Sequence, residues 1–111
     1  HALVSMIEHH LNNKITLEKI VTKMCHNPAV LFQISNRGFI KEGYYADLVL
    51  IDLEKSWTVS RENILYKCNW SPFEGVEFNS SVSKTFVNGK LVYDEGLFDK
   101  KLHGIQLTFD R

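Results

Sequence analysis

The sequence predicts an α+β chain, with helices first and a mainly β module after them. Three observations carry that expectation. Apolar residues recur at helical spacing through the first third of the chain, from Leu3 to Phe32. A strand-length apolar run, Leu48-Val-Leu-Ile51, follows two glycines five apart, Gly38 and Gly43. Between Lys84-Thr-Phe-Val87 and Lys90-Leu-Val-Tyr93 sits Asn88-Gly89, the pair preferred where a two-residue hairpin turn needs positive φ at both positions.

Taken in order, Leu3, Ile7 and Leu11 form one stripe, with Val4 and Met6 beside it, and Asn12-Asn13 ends the helix. Thr16 is the N-cap expected for a second helix, with Glu18 in its first turn and Leu17, Ile20, Val21 and Met24 on its apolar face. A third, short helix is expected at Asn27-Pro28, with Asn27 as cap, Pro28 at the first helical position and Ala29, Leu31 and Phe32 turned inward. Leu48 to Ile51 reads as a buried strand with Asp47 and Asp52 at its ends, and Gly38 and Gly43 as positions of positive φ or close packing. Ser56 to Val59 is a second extended segment, and Ser60 a cap for a short helical turn through Tyr66. Lys67 to Asn79 reads as an ordered loop that Trp70, Phe73 and Phe78 anchor. Val82, Phe86, Leu91 and Tyr93 are expected to pack within the module. The tail from Gly96, with Leu97, Phe98, Leu102, Ile105, Leu107 and Phe109, is expected to dock against it.

Composition narrows the function. A chain of 111 residues holds one modest core, and 44% hydrophobic with 12% aromatic content is globular. Thirteen basic residues balance thirteen acidic ones, which predicts neither a nucleic-acid nor a membrane partner. No apolar run has the length of a membrane span. Cys25 and Cys68 form neither a metal-type spacing nor a disulfide framework, and the expectation is a reduced, cytoplasmic protein. The start, His1-Ala-Leu-Val-Ser-Met-Ile, reads as the middle of a helix, without an initiator methionine or the order of a signal peptide.

The reactive side chains have plain structural readings. His9 and His10 are adjacent, so on a helix their rings diverge by about a hundred degrees, and they read as solvated or helix-end histidines rather than a metal pair. Cys25-His26 could form a thiolate pair, but Cys25 is better read as a small buried hydrophobe and His26 as a dipole contact at a helix end. His1 and His103 read as incidental. Asp47 and Asp52 point to opposite faces of their strand and make no acid–base pair; Asp47 is expected to accept hydrogen bonds at the turn. Phosphate-cradling glycine loops, Gly-x-Ser-x-Gly and His-Glu-x-x-His are absent. No catalytic, substrate-binding or metal-ligating residue is assigned in this chain.

Four segments in order nevertheless resemble the C-terminal stretch of the amidohydrolase superfamily. They are His26-Asn27-Pro28-Ala29-x-x-Phe32, Arg37-Gly38-x-Ile40 with Glu42-Gly43, Ala46-Asp47-Leu-Val-Leu-Ile-Asp52, and the hairpin Thr85-Phe-Val-Asn-Gly89-Lys-Leu-Val-Tyr93. Trp57-Thr-Val59 followed by Ser71-Pro72-Phe73-Glu-Gly75 is most similar to the cyclic-amide branch, dihydroorotases first and allantoinases next. The resemblance implies the terminal helices of a metal-dependent (β/α)8 barrel over residues 1–36, then most of a small β-sandwich with its tail over 37–111.

It also implies a parent enzyme that uses zinc and interconverts dihydroorotate and N-carbamoyl-L-aspartate in pyrimidine biosynthesis. The family's metal-binding histidines, bridging lysine and catalytic aspartate lie upstream of this segment and have no counterpart here. The expected fragment is therefore inactive alone and binds no zinc, and its first partner is the missing barrel. Strands from the N-terminal part complete the family's sandwich, so the resemblance further implies an open sheet edge, a bare helix face and a homo-oligomer. The alternatives are an allantoinase-type parent, a free-standing β-rich binding module and a barrel-less structural homologue.

Overall fold

The computed structural model describes residues 1–101 and 104–111. The expectations made for Leu102 and His103 lie outside the described residues. Helix α1 (Ala2–Leu11) buries Val4 and Ile7. It ends in a Schellman motif, with Asn13 at φ 59° and the Lys14 and Asn13 amides donating to His9 and His10 carbonyls, both at 2.9 Å. Helix α2 (Leu17–Val21) starts as expected, the Thr16 hydroxyl accepting from the Lys19 amide at 3.2 Å.

The third helix is present, with Pro28 in its first turn, but it is not separate from the second. Helix α3 (Asn27–Leu31) continues from α2 through one π turn (Thr22–His26), and Asn27, expected as a cap, is itself helical at φ −61° and ψ −44°. The cause is Pro28, which has no amide hydrogen and whose ring clashes with the carbonyl four residues back in a plain α-helix. Letting the Asn27 amide reach back five residues, to Thr22, opens the turn around that ring. Of the three residues expected inward, only Ala29 is buried; Leu31 is 74% exposed and Phe32 55%.

A connector then brings Arg37 and Gly38 under the helix. Gly38, at φ 86°, lies so close to α3 that a Cβ there would stand 2.4 Å from the Ala29 Cβ and 3.0 Å from the Cys25 carbonyl oxygen. The close-packing role expected of this glycine is therefore met. Gly43 has positive φ, 83°, in open space.

Strands β1 (Leu48–Asp52), β4 (Ser81–Val87), β5 (Lys90–Asp94) and β6 (Leu97–Phe98) form an antiparallel sheet in the order β1-β4-β5-β6. The β4–β5 hairpin turns at Asn88 (φ 51°) and Gly89 (φ 79°), the two positive values that the Asn-Gly pair requires. β1 is a strand but not a buried one. Val49 is 44% exposed and Leu50 49%, because among the described residues no second layer covers either face.

A second, two-stranded sheet pairs β2 (Trp57–Thr58) with β3 (Glu77–Phe78), the latter inside the segment expected to be loop. The helical turn after Ser60 covers Arg61–Asn63 and stops short of Tyr66, since Ile64 is already extended at φ −83° and ψ 121°. Asn63 closes it by accepting from the Ser60 amide at 2.9 Å and donating to the Thr58 carbonyl at 2.8 Å. The best-formed core lies where α1 meets this small sheet and comprises Val4, Val59, Ile64 and Phe78, flanked by Trp57 and Phe73.

Three polar ties hold helices and strands together. Glu8 accepts from both the amide and the side chain of Asn79, at 3.0 and 2.7 Å. Ser35 donates to Asp110 at 2.7 Å, fixing the tail beside a bridge between Ile34 and Phe109. The third tie, Arg37 to Asp47, belongs to the site below. The radius of gyration, 15.3 Å, exceeds the roughly 13 Å of a compact chain of this length.

Candidate functional site

Two constellations stand out, a clamp at Asp47 and an aromatic cleft at His1. In the clamp, one Asp47 carboxylate oxygen pairs with the Arg37 guanidinium and the other accepts from the Asn88 amide at 2.8 Å. Arg37 is nearly buried and its guanidinium lies over the Tyr45 ring at 4.0 Å. The Gly89 amide donates to the Ala46 carbonyl at 2.9 Å, so the connector grips the hairpin tip twice. Asp47 thus accepts hydrogen bonds at a turn, as expected, and its role is to join helix and sheet.

In the cleft, the His1 ring sits among Trp57, Tyr66, Phe73 and Phe78, with centroids between 5.9 and 6.4 Å away. The Ser71 hydroxyl bonds His1 Nδ1 at 3.2 Å and also accepts from the Phe73 amide at 3.1 Å. A serine beside an imidazole has the composition of a nucleophile–base pair, but this hydroxyl is 5% exposed and already engaged in its own turn. The pair locks the Ser71-Pro72-Phe73 turn onto α1, and His1 is no bystander. The open cleft alongside holds about 490 Å³, walled by Trp57, Tyr66, Val82 and Tyr93.

On its rim Glu95 accepts from Ser83 at 2.6 Å and from Lys55 at 3.3 Å, which together hold its carboxyl below the usual carboxylate range. Next to it Lys84 donates to Asp94, and that bond raises the ammonium pKa above its ordinary value.

The remaining reactive side chains stay apart. His9 is exposed, while His10 Nδ1 bonds the Ile15 carbonyl at 2.9 Å. Cys25, expected to be buried, is exposed, as is Cys68. His26 does not sit at a helix end, because the helix runs on through it; its ring stacks on Phe39 at 4.2 Å and 6°. Among the described residues, no three His, Cys, Asp or Glu side chains come together as a metal ion requires, so these residues do not fit a zinc centre. The sequence missed Ser71 and the Glu8–Asn79 tie; the Ser-Pro turn was the one local signal for the first.

The family model described as "Amidohydrolase family" matches residues 2–92. A dihydroorotase of Pyrococcus horikoshii is 42% identical over 81 residues, covering 73% of this chain and 19% of that protein. An allantoinase of Desulfitobacterium hafniense is 35% identical over 85 residues, covering 77% of this chain and 19% of that protein. Among solved structures, the L-hydantoinase (dihydropyrimidinase) from Arthrobacter aurescens superposes with a TM-score of 0.75 at 30% identity, over 84% of this chain and 21% of that one. The chain therefore spans about a fifth of the length of the relatives it matches. By the family match over most of its length, this chain belongs to the amidohydrolase family.

Proposed function

We propose that the chain is the C-terminal part of a cyclic amidohydrolase of the dihydroorotase type. The observation that carries this reading is the 42% identity to a dihydroorotase, against 35% to an allantoinase over a stretch of similar length. In this reading residues 1–36 are the last helices of a (β/α)8 barrel and residues 37–111 are most of the β-sandwich and its tail. The order of elements, helices and then a four-stranded sheet, supports it.

The reaction is the reversible hydrolysis of dihydroorotate in pyrimidine biosynthesis. Water adds across the ring amide, the C–N bond breaks, and N-carbamoyl-L-aspartate forms; the reverse closes the ring and releases water. Because the described residues do not fit a zinc centre, the metal and the reacting groups are assigned to the rest of the polypeptide. This chain's part is structural. The Asp47 clamp and the Glu8–Asn79 tie hold the sheet against the helices, and thereby against whatever the helices pack on. A cytoplasmic location belongs to the same proposal; no helix among the described residues is long and apolar enough to cross a membrane.

The test is dihydroorotate hydrolysis by the longer gene product, with and without zinc, beside the 111-residue chain. Metal-dependent activity in the long form alone is expected. Activity on allantoin instead of dihydroorotate would move the chain to the allantoinase branch, and turnover by the short chain would overturn the reading.

A further inference from the structure

The hairpin tip holds the one Asn-Gly step in the sequence, Asn88-Gly89. The pair that suits a tight turn is also a pair that can react with itself. The backbone nitrogen of Gly89 follows directly on Asn88, within reach of its side-chain carbonyl carbon, and glycine has no Cβ to hinder the approach. In the fold that nitrogen is engaged. The Gly89 amide donates to the Ala46 carbonyl at 2.9 Å, and the Asn88 amide donates to an Asp47 carboxylate oxygen at 2.8 Å. Asp47 is anchored in turn by Arg37, which is nearly buried against the Tyr45 ring. Asn88 at φ 51° and Gly89 at φ 79° fix the peptide plane between them. The Asn88 side-chain oxygen is itself shut off from water, so negative charge developing there would not be hydrated.

We propose that Asn88-Gly89 is a deamidation site that the Asp47 connector holds closed. The reaction needs no enzyme, and water is its co-reactant. The Gly89 nitrogen gives up its proton to solvent and attacks the side-chain carbonyl carbon of Asn88. A carbon–nitrogen bond forms there, the bond to the side-chain nitrogen breaks, and that nitrogen takes up a proton and leaves as ammonia. Water then opens the five-membered imide at either carbonyl, leaving an aspartyl or an isoaspartyl residue at position 88. Loss of the Gly89 proton and rotation of its peptide plane both break the bond to Ala46, so the turn must leave the clamp before it reacts. The product in turn disfavours the clamp. It sets a second carboxylate beside Asp47, whose charge Arg37 already matches, and the isoaspartyl form adds a backbone carbon to a two-residue turn. Clamp and modification therefore exclude each other, and deamidation records how often the connector has let go.

The test incubates the 111-residue chain in mildly alkaline buffer, with and without concentrated guanidinium chloride, and reads conversion by mass in the tryptic peptide 85–90. Two hydrogen bonds that must break first set the native rate about ten- to a hundredfold below the denatured one. Asp47→Ala should recover most of that difference. Asp47→Asn, which keeps an acceptor but loses the charge facing Arg37, should recover part of it, and carries the comparison should the alanine variant unfold. Ile7→Ala removes a buried side chain from α1 at comparable cost, away from the clamp, and should leave the native rate unchanged. The converted fraction, separated by its added negative charge, should unfold at lower urea than its parent. Equal conversion with and without denaturant, or none in either, would overturn the proposal. So would acceleration by Ile7→Ala as great as by the Asp47 variants, or a converted fraction as stable as its parent.

Discussion

Replacing Gly38 by alanine tests whether the connector and the helix are fitted to each other as tightly as the geometry states. Two costs add. A side chain at φ 86° enters the left-handed region at about 1–2 kcal/mol. The new Cβ would meet the Ala29 Cβ at 2.4 Å and the Cys25 carbonyl oxygen at 3.0 Å, and overpacking of this kind costs about 1–3 kcal/mol. The sum is about 3 kcal/mol, a large share of the roughly 5–15 kcal/mol that a domain of this size commands. Urea unfolding followed by tryptophan fluorescence should show a midpoint lower by about 2 M, taking a slope of about 1.5 kcal/mol/M. The cause is isolated by a second change, Ala29→Gly, which removes one of the two clashing carbons. Gly38→Ala with Ala29→Gly should lose less than the sum of the single variants, with a coupling of about 1–2 kcal/mol. Additive losses, or a Gly38→Ala loss under about 1 kcal/mol, would refute the close approach as the reason for glycine here.

Two further expectations follow from the polar ties. Asp47→Ala strands the nearly buried Arg37 guanidinium and the Asn88 amide, and should cost about 2–4 kcal/mol in the same urea assay; Asp47→Asn, which keeps an acceptor, should cost less. The carboxyl of Glu95 is held below its ordinary value of 4.5 by Ser83 and Lys55, so its contribution to stability is present above pH 4.5 and lost as pH falls through the lowered value. The stability difference between the native chain and Glu95→Gln, measured by urea unfolding across acid pH, should therefore shrink toward zero only on the acid side of 4.5, and a difference that persists unchanged into strong acid would contradict it.

Local chemistry was legible in the sequence, and cover was not. Thr16, Asn12-Asn13, Asn88-Gly89 and Gly38 act over a few residues, where a hydroxyl, a positive φ or a missing Cβ dictates the backbone directly. Asp47 was legible as an acceptor, but not its partners forty-one residues on in sequence at Asn88 and ten back at Arg37. Leu31, Phe32, Val49 and Leu50 were read as inward because apolar residues at regular spacing show which face needs cover. They do not show whether the same chain supplies it. Glu8–Asn79 and His1–Ser71 join positions about seventy residues apart, and no window of sequence holds both ends.

The π turn also changes how the helical rod must be read. Ile20 and Ala29 are both buried, yet nine residues at about 100° each would put them on opposite sides of an uninterrupted α-helix. One extra residue taken up in the wide turn resets the phase by about 100°, which brings the two toward a common side. Residues 17–21 and 27–31 thus obey two helical clocks offset by one tick. Removing a single residue between Thr22 and His26 would leave the two buried residues eight apart and still about 80° from each other, but it would close the turn onto the Pro28 ring, so at this point the spacing of the chain is as much a part of the fit as the identity of its residues.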